Sequence, residues 1–168
     1  MTAPVTKGKI HTLGYSNTTL EKFIEKAKLH NVTTIVDVRS FPSSKYTPQF
    51  NRDALASSLR AAGIEYVYGG TYLGGMNKLS VTNQLFIEKM EKVIDLSKDQ
   101  NVAMCCAEGQ PEKCHRAYKL SAWLSAKKQI SVTHILPTGK TITHEEFLAK
   151  HAKPGWGWHE LVPGGTET

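Results

Sequence analysis

The chain has 168 residues, of which 40% are hydrophobic and 21% are charged. This length suits one domain that buries roughly 70% of its unfolded surface, and the composition excludes a disordered or fibrous chain. The longest apolar run, 102–107, is far shorter than the roughly 20 residues of a spanning helix. The N-terminal residues lack the apolar stretch of a signal peptide. We therefore expect a cytoplasmic protein, neither secreted nor inserted in a membrane.

The net charge is +6, and the only cysteines are Cys105, Cys106 and Cys114. A positive field favours anionic partners such as nucleic acids, nucleotides or phosphate esters, although many soluble basic proteins have no such partner. Adjacent cysteines bridge only with strain, so we expect reduced thiols and no Cys105–Cys106 disulfide.

Five strands are predicted, in chain order at 9–13, 33–38, 64–68, 101–106 and 131–136. The helices between them are predicted at 18–30, 51–62, 81–98 and 111–128, with a short terminal helix from Thr143. Thr18 and Glu21 suit a capping box at the first helix, and Gly63 suits the end of the second. A glycine-rich loop is predicted over 69–80. The run 101–106 is the most apolar strand, so we expect it at the centre of the sheet.

This alternation predicts a three-layer, Rossmann-like α/β domain with a mostly parallel five-stranded sheet and helices on both faces. The domain is predicted over 1–150, with 9–13, 33–38 and 101–106 as its central strands. A tail over 151–168 follows, and its tryptophans suit docking on the domain or on a partner. Parallel strands bring their following loops to one edge, so a binding cleft is expected there.

Polar and glycine residues follow the strands at this edge. The candidate ligand-binding residues are Tyr15, Ser16, Asn17, Arg39, Ser40, Gly74, Gly75, His115 and Arg116. The guanidinium groups of Arg39 and Arg116 suit a planar anion held by two hydrogen bonds. Asn17 and Ser40 also suit an ordinary helix cap and a turn. We expect Ser16, Arg39, Glu108 and Arg116 to face a single cleft.

Three residues are candidates for catalysis: Glu108, Asp37 and Cys114. Glu108 lies just beyond a strand, where a carboxylate suits general acid–base work or simple solvation. Asp37 lies inside a buried strand and is equally suited to a structural ion pair with Arg39 or Arg116. Cys114, early in the predicted helix, is either a packed thiol or a thiolate whose pKa is lowered by the helix and by neighbouring cations.

No metal or cofactor is predicted. Cys105 and Cys106 face opposite sides of a strand, and a zinc site from Cys106, Cys114 and His115 lacks a second ligand pair. The segment 139–141 resembles the end of a phosphate-binding P-loop, but His134 stands where that motif requires glycine. The loop 69–75 lacks the GxGxxG spacing of a dinucleotide site.

Several of these segments, in this order, resemble the DUF488 family. The resemblance covers roughly 10–135 and rests on Gly14-Tyr15-Ser16-Asn17, Asp37-Val38-Arg39-Ser40-Phe41-Pro42, Pro48-Gln49-Phe50-Asn51-Arg52, Leu73-Gly74-Gly75, Cys106-Ala107-Glu108 and Cys114-His115-Arg116. It implies a small cytoplasmic protein with a Rossmann-like fold, and the family name itself leaves the function unassigned. The family pattern often has histidine where this chain has Tyr15, so the resemblance assigns no catalytic role there.

A fainter resemblance links Val36-Asp37-Val38-Arg39 to rhodanese-type sulfurtransferases. Those enzymes place a catalytic cysteine in a tight anion-binding loop. Here the segment after Cys106 is longer and contains Glu108 and Pro111, so it does not match that loop.

Three functions remain open from the sequence. The first is an enzyme acting on a nucleotide, nucleoside or nucleic-acid base, with Glu108 as acid–base. The second is a non-catalytic nucleic-acid-binding module that uses the net positive charge and the basic, polar and aromatic side chains of Lys45, Tyr46, Gln49, Phe50 and Arg52. In that segment Phe50 suits a core anchor equally well. The third is a rhodanese-like thiol enzyme. The sequence predicts no oligomeric state.

Overall fold

The structure is a computed structural model that describes residues 9–76 and 79–151. Its strands are β1 (Ile10–Gly14), β2 (Thr34–Asp37), β3 (Glu65–Tyr68), β4 (Val102–Cys106), β5 (Val132–Ile135) and β6 (Thr141–Thr143). Its α-helices are α1 (Leu20–Leu29), α2 (Arg52–Ala61), α3 (Gly70–Leu73), α4 (Gln84–Ser97), α5 (Ala122–Lys128) and α6 (His144–His151). The tryptophans of the predicted tail, Trp156 and Trp158, lie outside the described residues.

The strands form one sheet in the order β3-β2-β4-β1-β5-β6. Neighbouring strands from β3 to β5 pair in parallel, and β6 pairs antiparallel to β5. The predicted α/β class, the parallel sheet and the position of β4 between β2 and β1 are confirmed. The predicted number of five strands is wrong by one, because Gly139 adopts a positive φ of 90° and turns the chain back onto β5.

Two helix starts differ from the sequence prediction. Helix α1 is capped by Thr19, whose hydroxyl accepts the Lys22 N–H at 3.1 Å, and Thr18 stays outside the helix. Helix α4 begins after Asn83, whose side chain caps the Leu85 N–H, three residues later than expected. A side chain that accepts a free backbone N–H fixes the first turn, and the apolar pattern alone does not locate it.

The predicted helix 111–128 is interrupted at Cys114. Pro111–Lys113 forms a single 3₁₀ turn, Cys114 is extended (φ −133°, ψ 140°), and a π-helical turn over Arg116–Ser121 leads into α5. Cys114 therefore precedes the helix and is not part of it. A π-helical turn is rare and is frequently found at functional sites, which directs attention to this junction.

Each face of the sheet carries its own apolar cluster. Ile35, Ala103 and Cys105 belong to one cluster, and Val36, Met104, Cys106 and Cys114 belong to the other. The alternation confirms that Cys105 and Cys106 face opposite sides. We call these the Cys105 face and the Cys106 face. Within the part of the chain that the structure describes, no helix is both long and apolar enough to cross a membrane.

Candidate functional site

The loops that follow the strands pack directly on one another at the carboxyl edge of the sheet. A Cβ at Gly14 would collide with the Glu108 carbonyl, one at Gly70 with the Arg39 carbonyl, and one at Gly74 with the Ser40 hydroxyl. The loops after β1 and β4 are also joined by a hydrogen bond from the Gly109 N–H to Ser16 Oγ at 2.7 Å. Only residues without side chains allow the backbones to approach this closely.

On the Cys105 face, Arg39 is held by groups of the protein itself. Its Nε and Nη2 donate to the two carboxylate oxygens of Asp37 at 2.8 and 2.7 Å. Its Nη1 donates to Tyr15 Oη at 2.9 Å and to the Phe50 carbonyl at 2.6 Å. Tyr66 Oη donates a further hydrogen bond to Asp37. Four of the five guanidinium N–H groups are therefore used internally, and the side chain is only 7% exposed.

This geometry fits the structural alternative for Asp37 and not its catalytic role. A bidentate ion pair of this kind consumes the donors with which Arg39 would have held an anion. The ligand-binding residue Tyr15 is also committed here, because its ring stacks on Phe50 with centroids 3.9 Å apart. Asp37, Arg39 and Tyr15 therefore form a buried support beneath the loops.

The segment proposed for nucleic-acid binding is divided by the fold. Phe50 is 1% exposed and belongs to the core, so it is not a surface on which a base can stack. The guanidinium of Arg52 lies 4.2 Å from the centre of the Tyr68 ring. Lys45 and Gln49 are exposed. Phe50 is therefore the core anchor of the alternative interpretation, and Tyr46, at 84% exposure, is the aromatic side chain of this segment that faces solvent.

On the Cys106 face, two sulfur atoms meet beside a buried guanidinium. Cys106 Sγ and Cys114 Sγ are 2.7 Å apart, and Arg116 Nη1 donates to Cys106 Sγ at 2.8 Å. The same guanidinium donates to the carbonyls of Glu108 and Gly109, and its Nε–H has no partner in the described structure. Arg116 is 0% exposed, and no carboxylate among the described side chains pairs with it. The sulfur atoms are its available source of negative charge.

His115 stands on the other side of Cys114. Its Nε2 must donate to the Leu73 carbonyl at 2.9 Å, because a carbonyl only accepts. The other ring nitrogen, Nδ1, lies 3.6 Å from Cys114 Sγ, where it accepts from a thiol and, once protonated, donates to a thiolate. Gly75 lies against this ring, and a Cβ there would come within 3.1 Å of Nδ1.

The two thiols of the Cys106 face differ in acidity. The hydrogen bond from Cys106, with help from His115 and Arg116, lowers the pKa of Cys114 to about 3 despite its burial. The same hydrogen bond, together with burial, raises the pKa of Cys106. The pair therefore holds one proton and one negative charge at neutral pH. Burial raises the pKa of Cys105 on the opposite face, so that residue stays a thiol.

A separate open pocket of about 480 Å³ lies at the carboxyl edge on the α1 side. It is lined by Ser16, Asn17, Thr18, Lys22, Lys26, Glu108, Gln110, Lys113 and Pro137. Ser16 and Glu108 thus meet as predicted, but neither Arg39 nor Arg116 lines this pocket. The prediction of one cleft for all four residues is wrong. Arg39 is bound to Asp37 on the Cys105 face, whereas Arg116, at the start of the π-helical turn, is bound to Cys106 and to the loop carbonyls on the Cys106 face.

The remaining predicted ligand residues lie beside these sites. Ser40 Oγ accepts the Met76 N–H at 2.9 Å and packs against Gly74. Asn17 has a positive φ of 60° and lines the lysine-bearing pocket. Sequence reasoning considered Cys106, Cys114 and His115 together only as a rejected zinc site and did not predict the contact between the two sulfur atoms, although the Cys-x7-Cys-His-Arg spacing after a central strand was a usable signal. In the described residues, no group of three or more His, Cys, Asp and Glu is arranged to hold a metal ion.

Residues 19–84 match the model of a family described as a domain of unknown function, DUF488. The matched segment includes Asp37, Arg39 and Gly74, whereas Cys106, Cys114 and Arg116 lie beyond it. No curated protein and no solved structure matches the chain.

Proposed function

We propose that the chain is a cysteine-dependent enzyme whose nucleophile is Cys114, a thiol that lies beyond residues 19–84, the segment that matches the DUF488 family model. One observation carries the proposal: Cys114 Sγ lies between the Cys106 thiol and His115 Nδ1, beside a buried arginine without a carboxylate. A nucleophile, a base and a group that orients the base form the usual pattern of covalent catalysis.

Each neighbour of Cys114 has a separate role in this proposal. Cys106 donates a hydrogen bond to the thiolate, and Arg116 balances its charge. His115 accepts or returns a proton at Nδ1, while the Leu73 carbonyl holds its ring in one orientation. The thiolate is the reactive form of cysteine, so these contacts supply a nucleophile at neutral pH. Because such a dithiol must stay reduced to work, we also propose a cytoplasmic location.

The loop between the two cysteines does not support a rhodanese-like, anion-wrapping mechanism. Such a loop points its backbone N–H groups at the anion, whereas four N–H groups here are bonded within the protein. They belong to Gly109, Gln110, Lys113 and Cys114. The carbonyls of Glu108 and Gly109 point at Arg116 instead. The site therefore suits nucleophilic chemistry without an oxyanion cradle in this loop.

Alkylation of the full chain by iodoacetamide tests the proposal. For wild type, we expect labelling at Cys114 to fall less than about 2-fold from pH 8 to pH 6, since a lowered pKa keeps the thiolate populated. An ordinary thiol near pKa 8.5 falls roughly 80-fold over that range. The matched control is Cys105→Ser, which removes a thiol on the other face and leaves this labelling unchanged. If Cys114→Ser still takes up iodoacetamide at the same rate and with the same weak pH dependence, the proposal is wrong.

The lysine-bearing pocket favours a second candidate, an enzyme acting on a nucleotide-like anion with Glu108 as acid–base. Lys22, Lys26 and Lys113 converge there with Ser16. Burial and the neighbouring Lys22 lower the pKa of Lys26, and a bound anion would offset both effects. An anionic partner is thus proposed for this pocket rather than for Arg39 or Arg116.

Calorimetric titration with nucleotides and oligonucleotides tests this candidate. Binding that Lys26→Met weakens at least 10-fold, and that Glu108→Gln retains while turnover is lost, supports it. The control is Lys98→Met, which lies on the exposed end of α4. Binding of oligonucleotides alone, with steep salt dependence, would instead favour a nucleic-acid-binding module. If none of these anions binds, both the nucleotide enzyme and the nucleic-acid-binding module are wrong.

A further inference from the structure

We propose that Cys106 is the resolving thiol of Cys114, and that the site reduces small hydroperoxides and ends as a Cys106–Cys114 disulfide. This inference rests on the proposed function, because it names a substrate class for the same nucleophile. It adds a second cysteine to the reaction, and it excludes the transfer of a sulfur atom.

The distance between the sulfur atoms carries the first step. A separation of 2.7 Å is longer than a disulfide bond of about 2.05 Å, so the two sulfur atoms need to approach by only about 0.65 Å to form the bond. Cys106 is fixed at the end of β4, and Cys114 is held by its N–H bond to the Pro111 carbonyl at 3.0 Å. Any group that becomes attached to Cys114 Sγ through a weak bond is therefore within reach of Cys106.

This proximity limits what Cys114 can carry. A persulfide on Cys114 would be attacked by Cys106 and would lose its outer sulfur before reaching an acceptor. A sulfenic acid would be attacked in the same way, but there the product is the intended disulfide. The paired thiols therefore suit a redox cycle and oppose sulfur transfer.

Access to the sulfur atoms selects the size of the substrate. Cys114 is 6% exposed and Cys106 is 4% exposed, so a folded protein disulfide cannot approach either atom. An opening this small suits an oxidant of a few atoms, such as a small hydroperoxide. The buried Arg116 Nε–H, which has no partner among the described residues, is a donor available to an oxygen atom in this otherwise apolar setting.

The reaction balances with two thiols and one hydroperoxide, ROOH. The Cys114 thiolate attacks the terminal oxygen, the O–O bond breaks, and the electron pair leaves on RO⁻, which takes up the proton that Cys114 had released. Cys114 is now a sulfenic acid. Cys106 loses its proton and attacks Cys114 Sγ, and the departing hydroxide takes that proton to form water. The two cysteines are oxidised to a disulfide, and ROOH is reduced to ROH.

Arg116 makes this disulfide easy to reduce. In the reduced site the guanidinium donates to the Cys106 thiol and is balanced by the neighbouring Cys114 thiolate, and oxidation removes that negative charge while Arg116 remains buried. A cation that stabilises the thiolate form shifts the equilibrium toward the reduced pair. A low-molecular-weight dithiol therefore returns the site to its starting state and allows a second cycle.

The test treats the reduced full chain with hydrogen peroxide and maps the products by mass spectrometry. We expect the free thiols to fall from three to one, with Cys106 linked to Cys114 and Cys105 left free. Cys105→Ser is the matched control and forms the same link. In Cys106→Ser, Cys114 sulfenic acid accumulates and is trapped by dimedone, with circular dichroism confirming the fold. Dithiothreitol restores the wild-type thiols and permits renewed peroxide consumption.

The outcomes separate this inference from the proposed function. If Cys114 alkylates with the flat pH profile but peroxide never links it to Cys106, the resolving role is wrong and the nucleophile stands. If the labelling is also ordinary, both are wrong. Oxidation by a protein disulfide as fast as by hydrogen peroxide would overturn the assignment of a small oxidant. The disulfide is mapped in the wild-type chain, so the test does not depend on whether Cys106→Ser folds.

Discussion

The two faces of the sheet each bury one arginine, but they surround it differently. On the Cys105 face, Arg39 has a bidentate carboxylate partner and two further acceptors. On the Cys106 face, Arg116 has two carbonyls and a sulfur atom, and its Nε–H is unpartnered in the described structure. A buried charge that is fully paired supports the fold, whereas one that relies on a thiolate keeps a reactive group ionised.

Besides Arg116, the Cys106 face buries two histidines that contact each other. On the Cys106 face, Thr12 Oγ1 lies 2.6 Å from His134 Nδ1, and His134 Nε2 lies 3.0 Å from His144 Nδ1. All three residues are fully buried, and His144 Nε2 is unpartnered among the described residues. Burial, His144 and Arg116 lower the pKa of His134. This face therefore combines a buried cation with imidazole rings that must stay neutral.

Among the single substitutions, we expect the greatest loss of stability at the paired arginine. Asp37→Asn leaves Arg39 buried without its counter-charge, and we expect it to lower the free energy of unfolding by about 3–5 kcal/mol. Urea denaturation measures this loss. The control is Asp95→Asn, which breaks an exposed pair with Lys98 and should cost less than about 0.5 kcal/mol. Similar small losses in both variants would contradict a structural role for the Asp37–Arg39 pair.

Acid should act through the buried histidines. Burial lowers the pKa of His144 to about 4 and of His11, on the Cys105 face, to about 4. Between pH 6.5 and pH 4 the unfolded chain binds protons that the folded chain refuses, so stability falls by roughly 1.4 kcal/mol per pH unit for each buried histidine. Urea midpoints across this range measure the slope.

A variant separates the contributions of the two faces to this slope. His11→Gln should reduce the slope by roughly 1.4 kcal/mol per pH unit, the contribution of one histidine, and leave the part due to His134 and His144. If the slope disappears entirely in His11→Gln, acid sensitivity does not belong to the Cys106 face.

Gly14→Ala tests how the loops position Arg116. The added Cβ would collide with the Glu108 carbonyl, to which Arg116 donates. We expect a loss of about 1–3 kcal/mol together with slower labelling of Cys114. The matched control is Gly69→Ala, whose new Cβ has its nearest neighbour, a Val36 methyl group, at 3.3 Å. Unchanged labelling in Gly14→Ala would separate the loop contact from the thiol site.

The smallest expected effect compares the arginines directly. Arg116→Gln removes the cation beside the dithiol, so the pKa of Cys114 should rise by about one unit, equivalent to roughly 1.4 kcal/mol. Labelling at pH values below this raised pKa then slows by up to about 10-fold. Arg39→Gln, measured on folded protein, should leave that rate unchanged because Arg39 lies on the other face. Equal effects on labelling would remove the distinction between the two arginines.

Local patterns were sufficient to predict most of the fold. The β-branched and apolar runs predicted β2 and β4 correctly, and the most apolar run was correctly placed at the centre. Strand β6 was missed because three residues carry too little periodicity to indicate a strand. The prediction of a continuous helix from Pro111 was wrong because contacts with β4 and its loop, rather than helix propensity, decide the conformation of Cys114.

Three features follow from the amino-acid pattern alone: the α/β class, the position of the polar motifs after parallel strands, and the opposite orientation of Cys105 and Cys106. These features depend on short-range periodicity and on strand geometry. Only the tertiary structure decided that Cys106 and Cys114 meet and that Arg39 and Arg116 do not share a cleft. The path of the loop between the cysteines depends on long-range contacts, chiefly the close approach of Gly14 to Glu108 and the burial of Arg116. Spacing along the chain does not encode such contacts.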